Sequence, residues 1–342
     1  MSECRYFHVE TGKGLRRLGS LEEALACGQR GGYVWMDLLD PTRRDLDALA
    51  RPLGIHPLAV EDCLDEDQVP KIEDYPGHIL ILFNRYAYAG KELTVGEVDF
   101  LLGRNFLVTV NRDGGDARKA FEKIEEMASL DIGTVEKGPD FLLHVILDHT
   151  VDSKLAAIEA LEDDIEVAEE GMLEDAATFR LGDLVHLRRA LLSLRKSLFH
   201  EREILVKICR KDSPFITEPA IYHFRDIYDH LTKFFEFTEM NRDILTSLTE
   251  MYLSLVNNRM ADVANRTNRS VRRLTLITTV FMPLTLLAGI GGMSEWSMMT
   301  GPHNWRVAYP LFMLGIAVIG AVNYVLLRWV ERKRGDRPAD GS

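Results

Sequence analysis

Charge is missing from two stretches of this 342-residue chain: residues 274–294 and 307–327 hold no Asp, Glu, Lys, Arg or His. Each runs to about 20 residues, which at about 1.5 Å of helical rise crosses the roughly 30 Å hydrocarbon layer of a bilayer. Core helices of soluble proteins rarely stay uncharged for that length between arginine clusters, so the two runs predict a transmembrane hairpin. Cysteine is also scarce. Cys4, Cys27, Cys63 and Cys209 form neither a CxxC pair nor a disulfide framework, which predicts free packing thiols in a reducing compartment. No cleaved leader is expected from the opening MSECRYFHVETGKG, which carries charges where a signal peptide needs an apolar core. The net charge of −12 excludes the basic balance of a nucleic-acid binder and leaves metal cations or solubility as its explanation.

What is present around the two runs sets their orientation. Arg266, Arg269, Arg272 and Arg273 precede the first, and Arg328, Arg332, Lys333, Arg334 and Arg337 follow the second. The connecting segment 295–306 offers only Arg306. By the excess of positive charge on cytoplasmic flanks, both termini and the large domain are expected inside the cell.

The first part of the chain, to about residue 125, has the grammar of a mixed α/β domain. RYFHVE, GGYVWMDLLD, HILILFNRYAY and EVDFLLGRNFLVTVNRD are short apolar or alternating runs rich in aromatic and branched residues, as strands are. SLEEALACGQ and PTRRDLDALARPLG read as helices, with Ser20 and Pro41 at their starts. From Pro139 onward the pattern changes to long helices, over about 140–171, 175–211 and from about 218 into the membrane. Between Pro219 and Pro283 there is neither proline nor glycine, so one helix of about 90 Å can run unbroken into the first span. The expected organisation is an α/β domain over 1–125, long helices with a stalk over 126–273, spans at 274–294 and 307–327 joined by an external loop at 295–306, and a basic tail at 328–342.

Along that long helix, Asn268, Val271, Thr275, Thr278, Met282, Thr285, Gly289 and Gly292 follow one another at alternating steps of three and four. That spacing is an a/d stripe. Small and hydroxylated residues on one face of a membrane helix serve either close helix packing or a water-filled path. Two helices per chain cannot enclose a pore, but a symmetric ring of chains can.

VRRLTLITTVFMPLTLLAGIGGMSEW, with its short loop, second apolar helix and basic tail, closely resembles the CorA family of magnesium transporters. GIHPLAVEDCLDEDQVPKIEDY near residue 54, FLLHVILDHTVD near 141 and YHFRDIYDHL near 222 extend the resemblance over essentially the whole chain. It implies an α+β protein: an N-terminal α/β cytoplasmic domain, a long helical stalk, a two-helix C-terminal transmembrane hairpin, and a homopentameric channel in the lipid bilayer. Asn268, Met282, Thr285 and Gly289 fall on the family's pore-lining positions. Mg²⁺ is then both cargo and regulator, with Co²⁺ or Ni²⁺ as further passengers.

The chain departs from the family at the mouth. Where the family has Gly-Met-Asn, this sequence has Gly292, Met293 and Ser294. A serine hydroxyl accepts hydrogen bonds from an ion's water shell as an Asn carbonyl does, but it is shorter and can turn its donor outward. Glu295 and His303 are the nearest loop groups that could act on cations at that mouth. The resemblance further implies regulatory Mg²⁺ ligands at Glu61, Asp62, Asp148 and Asp226, bound between neighbouring cytoplasmic domains. Carboxylate oxygens suit a hard divalent cation. A zinc-handling relative of the ZntB type and a non-conducting metal sensor are the alternatives.

The remaining motifs carry less. IEALEDDIEVAEEGMLED spreads carboxylates over several helix faces, as a solvated helix does. The histidines have no ligand spacing such as HxxxH, and GKG at 12–14 is too short for a phosphate loop. No nucleophile–base constellation stands out, so no enzymatic activity is expected.

Overall fold

The computed structural model describes residues 3–65, 68–112, 114–176, 178–211, 213–292, 301 and 304–335. Strand β3 (Tyr33–Leu39) is buried at every position, so both of its faces must be covered. Its neighbours are β1 (Glu3–Glu10), β2 (Gly14–Leu18), β4 (Lys71–Asp74), β5 (His78–Ala89), β6 (Glu92–Gly103) and β7 (Phe106–Asn111). They form one seven-stranded sheet in the order β2-β1-β3-β7-β6-β5-β4, in which β3 and β7 are parallel and the other pairs antiparallel.

Period-two alternation divides the buried residues between two cores. Val34, Met36 and Leu38 of β3, with Leu80 and Leu82 of β5 and Val108 and Val110 of β7, pack under α1 (Leu21–Gly28), α2 (Arg43–Leu53) and α3 (Pro57–Asp62). The alternate residues, among them Trp35, Ile79, Ile81, Phe83 and Leu107, are buried on the opposite face, where α6 (Pro139–Glu174) lies along β5. Helices α4 (Gly114–Leu130) and α5 (Ile132–Val135) connect β7 to α6, and α7 (Leu181–Cys209), α8 (Glu218–Gly291) and α9 (Trp305–Gly335) complete the chain.

Local signals explain the early helix ends. Ser20 caps α1 through its hydroxyl, which accepts from Glu23 N at 3.3 Å. Thr42, not Pro41, caps α2: Thr42 and Asp45 form a reciprocal capping box. Gly54 then ends α2 in the left-handed region at φ 69°, where a side chain would be strained.

EVDFLLGRNFLVTVNRD, continuous in its apolar character, is two strands: β6 and β7 turn back on each other so that Leu102 pairs with Leu107. Strands β2 and β4, at the sheet edges, are short and charged (GLRRL and KIED), which protects an open edge and hides it from apolar pattern reading. The Gly12 and Gly14 amides of the β1–β2 turn donate to the Glu136 carboxylate at 3.0 and 2.9 Å, so that glycine pair shapes a turn.

The chain divides into two compact units, Met1–Leu253 and Ser254–Ser342. In the second unit, α8 and α9 each contain a stretch long and apolar enough to cross a membrane, and neither stretch is buried in the protein.

Candidate pore face and metal cluster

The stripe on α8 separates cleanly from the face that packs on α9. Asn268, Val271, Thr275, Thr278, Met282, Thr285, Gly289 and Gly292 are all exposed in the protomer. The half-buried positions Leu276, Val280, Leu284, Leu287 and Gly291 form a second stripe, again at steps of three and four. That second stripe meets α9. The Phe312 ring lies directly against Gly291, and a side chain at Gly320 would meet Leu284 at 3.3 Å. A side chain at Gly289 would meet nothing within 4 Å. Close packing within the chain therefore uses Gly291 and leaves the Thr/Gly stripe open.

The threonine hydroxyls of the open stripe are oriented by the helix itself. Thr275 and Thr278 donate to the carbonyls of Val271 and Leu274, each at 2.9 Å, and Thr285 donates to Phe281 O at 2.8 Å. With the hydroxyl proton committed to the helix, each oxygen presents only acceptor capacity outward. That polarity matches the outward-pointing hydrogens of a hydrated cation. Met293, Ser294, Glu295 and His303 lie outside the described residues.

In the first unit, α6 and α8 bring acids and histidines together. Asp148 and Asp152 stand one turn apart on α6, and their oxygens lie within 4.8 Å of each other and of a His230 ring nitrogen on α8. His230 Nδ1 is buried without a hydrogen-bond partner among the described residues, so it is available to a cation. Asp226, one turn before His230, bears electrostatically on Asp148. Burial, reinforced by Asp152, raises the Asp148 carboxyl above its ordinary range. The adjacent His144 and His223 rings lie 4.9 Å apart, and burial followed by the His223 charge lowers His144 to about 4. Two carboxylates and an imidazole can hold a divalent ion, and the imidazole tilts preference toward Co²⁺, Ni²⁺ or Zn²⁺ relative to an all-oxygen set.

Glu61 and Asp62 stand apart from this cluster. They close α3, which starts at the His56 cap (Leu58 N to His56 Nδ1, 3.2 Å) with Pro57 in its first turn. Glu61 is exposed, and Asp62 pairs with Lys71 at 2.9 Å. Of the four acids expected from sequence, the fold therefore groups Asp148 with Asp226 and leaves Glu61 and Asp62 on another element. Asp152 and His230 were missed. The signal that could have found them is the i, i+4 repeat of ligand types, Asp148/Asp152 on one helix and Asp226/His230 on the next.

An α/β domain, a 74-residue helix with an uncovered polar stripe and a second apolar helix define a two-span membrane protein built to present a polar helix face. The chain belongs to the family of CorA-like Mg²⁺ transporter proteins, whose sequence profile matches residues 30–333. It is 31% identical over 319 residues to the cobalt/magnesium transport protein CorA of Thermotoga maritima, covering 92% of this chain and 86% of that protein. The complete structure of the CorA magnesium transporter from Methanocaldococcus jannaschii superimposes with a TM-score of 0.71 at 24% identity, covering 96% of this chain and 97% of that one. Similarity to the zinc transport protein ZntB of Yersinia enterocolitica is 24% over 203 residues, 59% of this chain and 60% of that protein.

Proposed function

We propose that this protein is a membrane pathway for divalent cations, Mg²⁺ first with Co²⁺ or Ni²⁺ as further passengers, in which copies of α8 surround an axis and the Asn268–Gly292 stripe lines the path. The observation that carries this reading is the exposed stripe itself: α9 covers the Gly291 face and not the Gly289 face. A homopentamer, as the family resemblance implies, closes the ring. Mg²⁺ sheds its water reluctantly, so threonine oxygens held as acceptors suit an ion that passes hydrated. A membrane potential of 100 mV drives a double charge inward with about 4.6 kcal/mol, from about 2.3 per charge. With both termini cytoplasmic, that force moves cations toward the large domain.

The acids of that domain act as the cytosolic sensor. Asp148 and Asp226, joined by Asp152 and His230, bind a divalent ion together with Glu61 and Asp62 of a neighbouring subunit. The separation of Glu61 and Asp62 from the Asp148 cluster within one chain supports such an arrangement. Bound metal bridges the subunits and holds the ring closed; its loss leaves like charges that push neighbours apart and opens the path.

The reading is tested by Mg²⁺ influx into dye-loaded proteoliposomes under an imposed potential. Flux should be present in the parent and abolished in Gly289→Phe; equal flux in both would overturn it. A zinc pathway is the second reading, favoured by His230 in the sensor cluster. Zn²⁺ outcompeting Mg²⁺ in the same vesicles, with dependence on a pH gradient, would establish that reading instead. Metal-dependent protease protection without any flux would identify a non-conducting sensor.

A further inference from the structure

Arg266, Arg269 and Arg273 belong to the α9-facing stripe of α8, not to the open one. They extend the series Leu276, Val280, Leu284, Leu287 and Gly291 backward at steps of four and three, and all three are exposed. The contacts of Gly291 with Phe312 and of Leu284 with Gly320 step in opposite directions along the two helices. At that register Arg328 of α9 comes level with about residue 276 of α8, within a turn of Arg273. Arg328 is exposed, and its guanidinium stands 5.7 Å from the Tyr324 ring centre. Four arginines thus flank one seam between α8 and α9.

That seam sits where the uncharged run begins at residue 274, so Arg269 and Arg273 fall within the headgroup layer, some 5–8 Å deep on each side of the hydrocarbon. Among the described side chains no ion pair joins an acid to Arg266, Arg269 or Arg273, and Glu331, one turn after Arg328, lies outside them. Asp262 stands one turn before Arg266, farther from the membrane. Against Asp262 and Glu331 alone, these four arginines leave an excess of positive charge that calls for anions, and the anions present in the headgroup layer are phosphates. Guanidinium groups bind phosphate in a bidentate manner and keep their charge in any such setting.

We infer that the α8–α9 seam is a binding site for anionic phospholipid headgroups, with Arg266, Arg269, Arg273 and Arg328 as its phosphate ligands. It rests on the membrane reading above and on the open stripe facing the axis, which turns this seam outward toward lipid. The site adds a lipid requirement to the transporter: each subunit holds anionic lipid at its cytoplasmic boundary, neutralising charge that would otherwise repel between neighbouring helices and subunits.

The test reconstitutes full-length protein in mixed phosphatidylglycerol–phosphatidylcholine nanodiscs, extracts it into mild detergent and quantifies the lipid retained. The parent should retain phosphatidylglycerol over phosphatidylcholine by about fivefold or more relative to the bulk mixture, as near-surface Lys or Arg attraction allows. The Arg266→Gln, Arg269→Gln, Arg273→Gln, Arg328→Gln variant should lose that preference, and the corresponding four-Lys variant should keep most of it. Equal retention of both lipids by the parent overturns the site, as does an unchanged preference in a Gln variant that elutes at the parent's size. If the Gln variant does not assemble, loss of the parent's preference at high salt supports the site, and its persistence overturns it. Full displacement of the lipid by millimolar inorganic phosphate would assign the arginines to soluble anions and overturn the lipid assignment. Lipid preference without cation flux would sink the transport reading while leaving the site standing.

Discussion

Lys154 on α6 and Glu201 on α7 form an ion pair of 2.6 Å with both side chains fully buried. The pair is embedded in a polar network: Glu201 Oε1 also accepts from Ser197 Oγ at 3.0 Å and from Asn84 N at 3.2 Å, and Lys154 donates to Asn84 O. Lys154 Nζ stands 4.6 Å from the Phe83 ring centre and 5.0 Å from that of Tyr86. Two helices and β5 are thereby locked to one another by charges that have no water to fall back on.

Removing one partner leaves the other charged and dry. Lys154→Met or Glu201→Gln should each destabilise the protein by about 3–5 kcal/mol, whereas the double change to Met and Leu should recover most of the loss. Denaturant unfolding of the detergent-solubilised protein reads both. Single variants as stable as the parent would mean that the pair is not dry in solution.

Asp37 makes stability depend on pH in a defined direction. It is buried between Thr109 and Asn111, and burial pushes its carboxyl up to about 7, against about 4 in an unfolded chain. Below about pH 4 both states hold the proton, so Asp37 neither adds nor subtracts. As pH rises from about 4 to about 7 the unfolded chain releases its proton first, and folding loses free energy; above that the loss levels off. Asp37→Asn should flatten the profile across that window, measured as unfolding free energy at several pH values. A variant with the parent's slope would refute this account.

The threonines of the open stripe should matter as acceptors. Thr278→Val and Thr285→Val keep the shape and remove the oxygen, and each should lower Mg²⁺ flux by about fivefold or more, as loss of even a single hydrogen-bond contribution of about 1 kcal/mol predicts. Thr279→Val, beside the stripe and bonded to Thr275 O at 2.7 Å, serves as control and should leave flux within about twofold. Similar losses in all three would point to a helix-stability effect rather than to the path.

At the candidate metal cluster, Asp152→Asn and His230→Ala should each raise the Mg²⁺ concentration that half-protects the Met1–Leu253 unit from protease by about tenfold, as expected for one ligand or its close support. Because burial and Asp152 hold the Asp148 carboxyl above its ordinary range, protons compete with metal there. Protection of the parent should therefore need more Mg²⁺ at pH 5.5 than at pH 7.5. A midpoint independent of pH and of both substitutions would remove the cluster from the sensor.

Ser294 is tested by its restoration. Ser294→Asn should shift the competition among Mg²⁺, Co²⁺ and Zn²⁺ for uptake by about tenfold or more if the side chain touches the ion's water shell, since an amide oxygen reaches farther than a hydroxyl. Unchanged selectivity would exclude position 294 from the filter.

The sequence by itself determined the membrane hairpin, because an uncharged run of about 20 residues has few other stable uses. It determined the a/d stripe from Asn268 to Gly292 as well, because helical spacing is a local property written in residue types. It also carried the long helices, through the absence of breakers between Pro219 and Pro283. Edge strands β2 and β4 escaped notice, because their charged residues follow from lying at an edge, and an edge exists only once the sheet is assembled. Which face of α8 is open was decided by tertiary structure: a Thr/Gly stripe and a Leu/Val stripe ending in Gly291 could each pack on α9 until Phe312 lands against Gly291 and nothing lands against Gly289. The metal cluster was decided in the same way. Asp148 and His230 are distant in sequence and meet only where α6 and α8 pack, and the partial burial that raises the Asp148 carboxyl arises from that packing alone.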